Sequence, residues 1–270
     1  MTSAWTGSAR RGLLGFAMAL FATNLRSALA LRGAFVVQAL FMVLNNVVFL
    51  VFWWVLLRRV PHLRGWRLPE IGALFGVTAT SFGLVVAITG GVRHLGRCIE
   101  EGELDTLLTQ PKPTLLYAIG LRSHASGAGD VLSGLVLLAV SGYLTLSTLP
   151  LVALVILAAA ATFLGAGVMF FSLPFWVSRS ETVSRQLWEL LITFSLYPEP
   201  LFGGVTRLLL FTLLPAGLVG YLPVHVLRQP SLPAIAALVA GSAAYLTLAV
   251  WVFNRGLRRY ESGGRFVVFG

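Results

Sequence analysis

The sequence predicts an all-α integral membrane protein with six transmembrane helices, an N-terminal amphipathic elbow helix, a short cytoplasmic helix and a re-entrant outer hairpin before the last span. Three observations carry that expectation. Of 270 residues, 57% are hydrophobic and 11% charged, and the mean hydropathy is +0.85, well beyond soluble domains. Uncharged windows of about 20 residues, the length that crosses the hydrocarbon core, recur along the chain. The basic residues between these windows are distributed unevenly, and that asymmetry assigns sides.

Taken in order, residues 5–32 read as the elbow. Leu14, Met18, Phe21, Leu25 and Leu29 recur at spacings of three and four, one apolar face of a helix lying on the membrane surface. Arg10 and Arg11 before an apolar run imitate a secretory signal, but Asn24 and Arg26 interrupt the stretch. Spans are expected at 35–57, 71–92, 125–149, 151–177, 184–200 and 232–253, within one transmembrane domain covering 1–270. The region from 187 to 227 is the difficult one, because Pro198, Pro200, Pro215 and Pro223 break it. One crossing at 184–200 followed by an outer hairpin at 201–227 places 14 of the 20 basic residues on the inner side, together with both termini. Arg58, Arg59, Arg64, Arg67, Arg207 and Arg228 remain outside.

The net charge of +10 belongs to loop arginines beside anionic lipid rather than to a nucleic-acid surface, since no soluble basic domain exists to present it. The single cysteine, Cys98, excludes an intramolecular disulfide and reads as a spectator thiol. His62, His94, His124 and His225 are scattered without ligand spacing, and no Gly-x-Ser-x-Gly elbow occurs, so enzyme chemistry finds little support. Trp53, Trp54, Trp66, Trp176, Trp188 and Trp251 fall near expected span ends and suggest an interfacial belt. Gly72 with Gly76, and Gly165 with Gly167, are narrow faces at which helices approach.

Polar residues inside spans usually mark pathways or helix contacts. Asn45 and Asn46 sit mid-span and need a partner helix or cavity; Glu199, between two prolines, faces either a cavity or the outer headgroups; Asp130 is expected to pair with Arg122 or Arg93, and Glu181 with Arg185 one turn on. The secure apolar windows, 35–57, 71–92, 131–149, 151–177 and 232–253, hold no carboxylate, which disfavours proton- or sodium-coupled transport.

The most informative stretch is CIEEGELDTLLTQPKP, 98–113. Glu100, Glu101, Glu103 and Asp105 crowd beside Gly102, Leu104, Leu107 and Leu108 follow at helical spacing, and Pro111 ends the run. A short helix here would offer a leucine ridge to a groove in a soluble partner; the alternative is an ordinary solvated loop. The pattern Gly102, Leu104, Asp105, Leu107, Leu108 and Pro111 resembles the cytoplasmic coupling helix, here 98–110, of ABC transporter permeases of the type-2, exporter-like kind. The proline-broken segment 197–223 and the basic, Tyr-containing tail 254–263 are similar to the same family, so the resemblance covers nearly the whole chain. Gln110 and Lys112 depart from it, where an Arg and an aliphatic residue are expected.

The resemblance implies a permease subunit of the cell membrane, forming half of a translocation pathway with a second permease, either another copy or a different chain. It implies docking through Glu100, Glu101, Gly102, Glu103, Leu104, Asp105, Leu107, Leu108 and Pro111 on a dimer of ABC ATP-binding subunits. ATP and Mg would be held in that partner, with no cofactor bound here. The residues agree with that division of labour, because a phosphate-binding P-loop needs a glycine-rich run ending in Lys, and Lys112 stands in Gln-Pro-Lys-Pro. The few charges in the spans suit a hydrophobic or amphiphilic export cargo. An ATP-independent transporter or channel, or a membrane anchor for a signalling ATPase, are the alternatives.

Overall fold

The computed structural model describes residues 15, 32–59, 65–110, 113–120, 122, 124 and 126–260. The expected elbow at 5–32, Pro111, Lys112 and the tail beyond 260 lie outside, apart from single positions. Helix α1 is Arg32–Arg59, α2 is Leu68–Thr89, α3 is Leu95–Glu100, α4 is Leu104–Leu108, α5 is Thr114–Gly120 and α6 is Ser126–Val140. They are followed by α7, Leu149–Phe171; α8, Glu181–Ser195; α9, Gly204–Thr212; α10, Leu222–Arg228; and α11, Leu232–Leu257.

Local chemistry sets several boundaries. Pro69 sits in the first turn of α2, and the Glu70 carboxylate accepts the Arg67 backbone N–H at 2.9 Å, satisfying a donor at the helix entry. α6 stops where Gly142 takes φ 78°, a left-handed value that glycine adopts without steric cost, and Tyr143 N–H turns back to the Leu138 carbonyl at 3.0 Å. The Ser231 hydroxyl accepts from Ala234 N–H at the start of α11.

Among the described residues, four helical runs are long and apolar enough to cross a membrane: Leu40–Arg59, Leu68–Glu100, Leu149–Phe175 and Leu232–Leu257. α6 and α8 have 15 residues each, about 22 Å of helix, shorter than the crossings expected at 125–149 and 184–200. α9 and the run Gly217–Arg228 meet at 77° in the region read as a broken hairpin. The break falls at Pro215, and the second arm opens as a π-turn, Gly217–Tyr221, which spans Val219, the residue one turn before Pro223. Proline has no N–H and its ring collides with the carbonyl one turn back, so the helix widens there.

The centre of the bundle is α2, 78% buried in its apolar window, whereas that of α1 is only 17% buried. α6 lies antiparallel on α2 along a seam of small residues. A Cβ placed on Gly83 would stand 2.5 Å from the Gly127 carbonyl oxygen, and one on Gly76 would stand 2.9 Å from that of Gly134. The partner of the Gly72/Gly76 face is thus α6. Gly165 meets the α11 backbone at Leu246, where Thr162 and Ser242 hydroxyls lie 3.0 Å apart. On the other side of α2, Phe82, Phe163 and Phe171 surround Trp188, which is completely buried. The tryptophan belt is corrected accordingly: Trp53, Trp66 and Trp188 are core residues, and only Trp54, Trp176 and Trp251 are exposed. Trp188 lies on α8 opposite the small Gly167, which leaves room for an indole.

Candidate functional site

The segment 95–110 stands at one end of the bundle, continuous with α2 through the 3₁₀ turn Gly90–His94. α3 and α4 are joined across Gly102, whose φ of 77° an L side chain adopts only with strain. Leu104 is fully buried and Leu107 nearly so, while Leu108 is 46% exposed. The expectation that Leu104, Leu107 and Leu108 together present a ridge to a partner is therefore corrected. Two of the three anchor α4 in the chain's own core, because α5 folds back over it, and the outward face consists of Glu103, Thr106, Leu108, Thr109 and Gln110.

The acids are committed to named contacts. Glu101 pairs with Arg97 at 2.9 Å. Glu103 accepts from the Cys98 thiol at 3.2 Å, tying α3 to α4. Glu100 accepts the backbone N–H of Glu181 at 3.0 Å, a carboxylate at the open N-terminus of α8. Glu181 in turn pairs with Arg185 at 2.5 Å, as the spacing anticipated. This end of the bundle therefore fastens 95–110 to α8 by a polar contact 81 residues distant in sequence. Replacing Glu100 by Ala is expected to cost about 1 kcal/mol, the scale of a lost helix cap, and to speed amide hydrogen exchange selectively in the first turn of α8. Unchanged exchange there would show that the contact does not hold the helix.

A second constellation lies inside the bundle. Asn46 is buried and its amide donates to Asp130 Oδ1 at 3.2 Å and to the Ser133 hydroxyl at 2.7 Å. Asn45, one position away, points outward and is exposed. Asp130 thus bonds to Asn46 on α1 rather than pairing with Arg122 or Arg93, because α6 turns it toward α1 and the glycine seam. The statement that the spans lack carboxylates is also corrected, since Asp130 is 5% exposed in a helix packed against α1 and α2. The signal was present in the sequence: SGAGDVLSG surrounds Asp130 with residues small enough for close backbone approach.

Glu199 opens a 3₁₀ turn and pairs with Arg207 of α9 at 2.5 Å. Tyr221 donates its hydroxyl to the Phe194 carbonyl at 2.7 Å, fastening the broken arm to α8. Arg228 reaches back to Glu70 at 3.8 Å and to the Gly65 carbonyl at 3.3 Å, joining the start of α2 to the end of α10.

The fold also assembles what spacing could not reveal. His94 and His124 stack with ring centroids 5.8 Å apart, in a cavity of about 310 Å³ lined by Arg93, Arg97, Phe171, Glu181 and Arg185 as well. Burial, then the charges of Arg93 and Arg122, hold the His124 imidazole below its ordinary range. Among the described residues, no group of three or more His, Cys, Asp or Glu side chains comes together as a metal site would require.

Long apolar helices around a buried polar node, with a fastened acidic segment at one end, define a multi-pass membrane protein of the permease class. Residues 43–264 match the family described as ABC-2 family transporter protein, and the chain belongs to that family. It is a membrane permease component of an ABC transporter. No curated protein and no solved structure matches the chain.

Proposed function

We propose that the chain is half of the translocation pathway of an ABC exporter, and that segment 95–110 couples it to a separate ATP-hydrolysing subunit dimer. The observation that carries this reading is the attachment of that segment at two places, to α2 through the 3₁₀ turn and to α8 through Glu100. A push on the exposed Glu103 and Leu108 face would reach two bundle helices through a stiff connection, as a coupling contact between nucleotide states requires. ATP and Mg belong to the partner; a second permease completes the pathway.

In this reading α1, α2, α6, α7, α8 and α11 are the six crossings, and α9 with the run Gly217–Arg228 dips back into the outer leaflet. Both termini face the cytoplasm, and the cell membrane is the site of action. The apolar composition of the helices supports a hydrophobic or amphiphilic cargo.

The test is co-purification of the ATP-hydrolysing subunit from the native host. Leu108→Asp with Glu103→Lys is expected to leave the chain folded and to lower the recovered subunit at least tenfold, roughly a 1.4 kcal/mol loss. Leu104→Ser, by contrast, is expected to destabilise the chain itself by about 2–5 kcal/mol. Undiminished recovery with the first variant would remove 95–110 from the docking face.

Asp130 is the observation that favours the competing reading, an ATP-independent transporter coupled to protons. Uptake or efflux driven by a pH gradient in vesicles holding this chain alone would support that reading over the proposed one.

A further inference from the structure

We infer that the cavity between the 3₁₀ turn Gly90–His94 and the N-terminus of α8 is a binding site for a phosphomonoester, supplied either by a lipid headgroup or by free phosphate. The inference requires only that the chain sits in a bilayer; it stands whether or not the exporter reading does.

The charge balance of the cavity is the first ground. Arg93, Arg97 and Arg185 line it against one carboxylate, Glu181. Glu181 is already paired with Arg185, and Arg97 with Glu101, which lies outside the lining. Arg93 makes no ion pair with a carboxylate among the described residues. A cavity carrying three guanidinium groups and two imidazoles therefore retains a surplus of positive charge and donors. Guanidinium forks match phosphate oxygens in pairs, and a phosphomonoester offers three such oxygens and close to two charges.

The imidazoles are the second ground. His124 Nε2 is buried without a hydrogen-bond partner among the described residues, an arrangement that costs stability when the group is left alone, and the His94 ring stacks on it. A dianion in the cavity would reverse the field that Arg93 and Arg122 impose on the His124 ring and favour its protonated form. The third ground is position. Phe171, the last residue of α7, forms one wall, and α2, the most buried apolar helix, leads into the turn that carries Arg93 and His94. The cavity thus opens where apolar helices end, the level at which a headgroup phosphate sits beside clustered arginine. A volume of about 310 Å³ accommodates a phosphate with part of its glycerol.

The experiment uses the full chain in detergent, titrated separately with dioctanoyl phosphatidic acid, dioctanoyl phosphatidylcholine and sodium phosphate. Bound lipid is counted by native mass spectrometry, and 31P NMR follows inorganic phosphate. One saturable phosphatidic acid per chain, with phosphatidylcholine at least tenfold weaker, is the expected result. Arg93→Glu should weaken it by roughly tenfold or more, the scale of a charge-assisted hydrogen bond lost, while the ligand-free melting temperature holds because Arg93 is exposed. His124→Gln is the second variant and should weaken binding less. Saturable phosphate binding without the lipid would assign the site to free phosphate. Equal binding of phosphatidylcholine, binding unchanged by Arg93→Glu, or only unsaturable accumulation would overturn the proposal.

Discussion

Gly83→Leu is expected to leave almost no folded chain in a mild detergent extract, the largest single effect in this molecule. A Cβ at Gly83 would meet the Gly127 carbonyl oxygen at 2.5 Å, Asp130 Cβ at 2.8 Å and Val131 N at 2.8 Å. Two of these atoms are backbone and the third is bound directly to it, so no side-chain rotation relieves the clash, and α6 must separate from α2. Between helices in lipid there is little hydrophobic drive to compensate, and close van der Waals contact is itself the adhesive. Overpacking costs about 1–3 kcal/mol where neighbours can shift, and more where they cannot; at this seam the cost falls above that range. Fluorescence-detected size exclusion after a temperature ramp measures it. Gly203→Ala is the control, since a Cβ there meets nothing within 4 Å and its φ of −137° is ordinary; its melting temperature should be unchanged. A monodisperse, thermally normal Gly83→Leu protein would show that α2 and α6 are not packed as described.

The second large effect is expected from Asn46→Leu. It removes the donor that reaches both Asp130 and Ser133, and it leaves a carboxyl group in a bundle with few alternative donors. The penalty is the desolvation of unsatisfied groups, about 1–3 kcal/mol. Asp130→Leu alone should be milder, because the amide that remains is neutral. The double variant should recover part of the loss, giving a coupling energy of about 1 kcal/mol between the positions. Strictly additive losses would mean that the two side chains do not meet. Activity helps separate roles: if Asp130 served proton-coupled transport, Asp130→Asn would abolish transport while preserving stability.

Much of this architecture is legible without coordinates because the bilayer simplifies the problem. An apolar run of about 20 residues has few stable options other than a spanning helix, so the windows near 35–57, 71–92, 151–177 and 232–253 announce themselves. Family membership was legible too, from three short motifs in order. Helix contacts were not. In a uniformly apolar helix such as α2 no face is marked by polarity, and Trp188 on α8 read as interfacial from its place near an expected span end, whereas the space beside Gly167 on α7 places it in the core. The same blindness applies at 104–108, where spacing shows that Leu104, Leu107 and Leu108 share a helix but not whether the shared side meets a partner or the chain's own α5.

By itself the sequence determined that this chain lives in a membrane, where its longest helices run, that its acidic segment interrupts the apolar pattern, and that it belongs with the ABC-2 transporters. Those properties follow from composition, period and local motif, all of which are fixed by residues close together along the chain. The tertiary structure alone decided that Asn46 meets Asp130 across 84 positions, that Glu100 holds the start of α8 across 81, and that His94 and His124 stack within an arginine-lined cavity. Such pairings depend on the rotation and register of one helix against another, which glycine-sized surfaces set by how closely two backbones can approach.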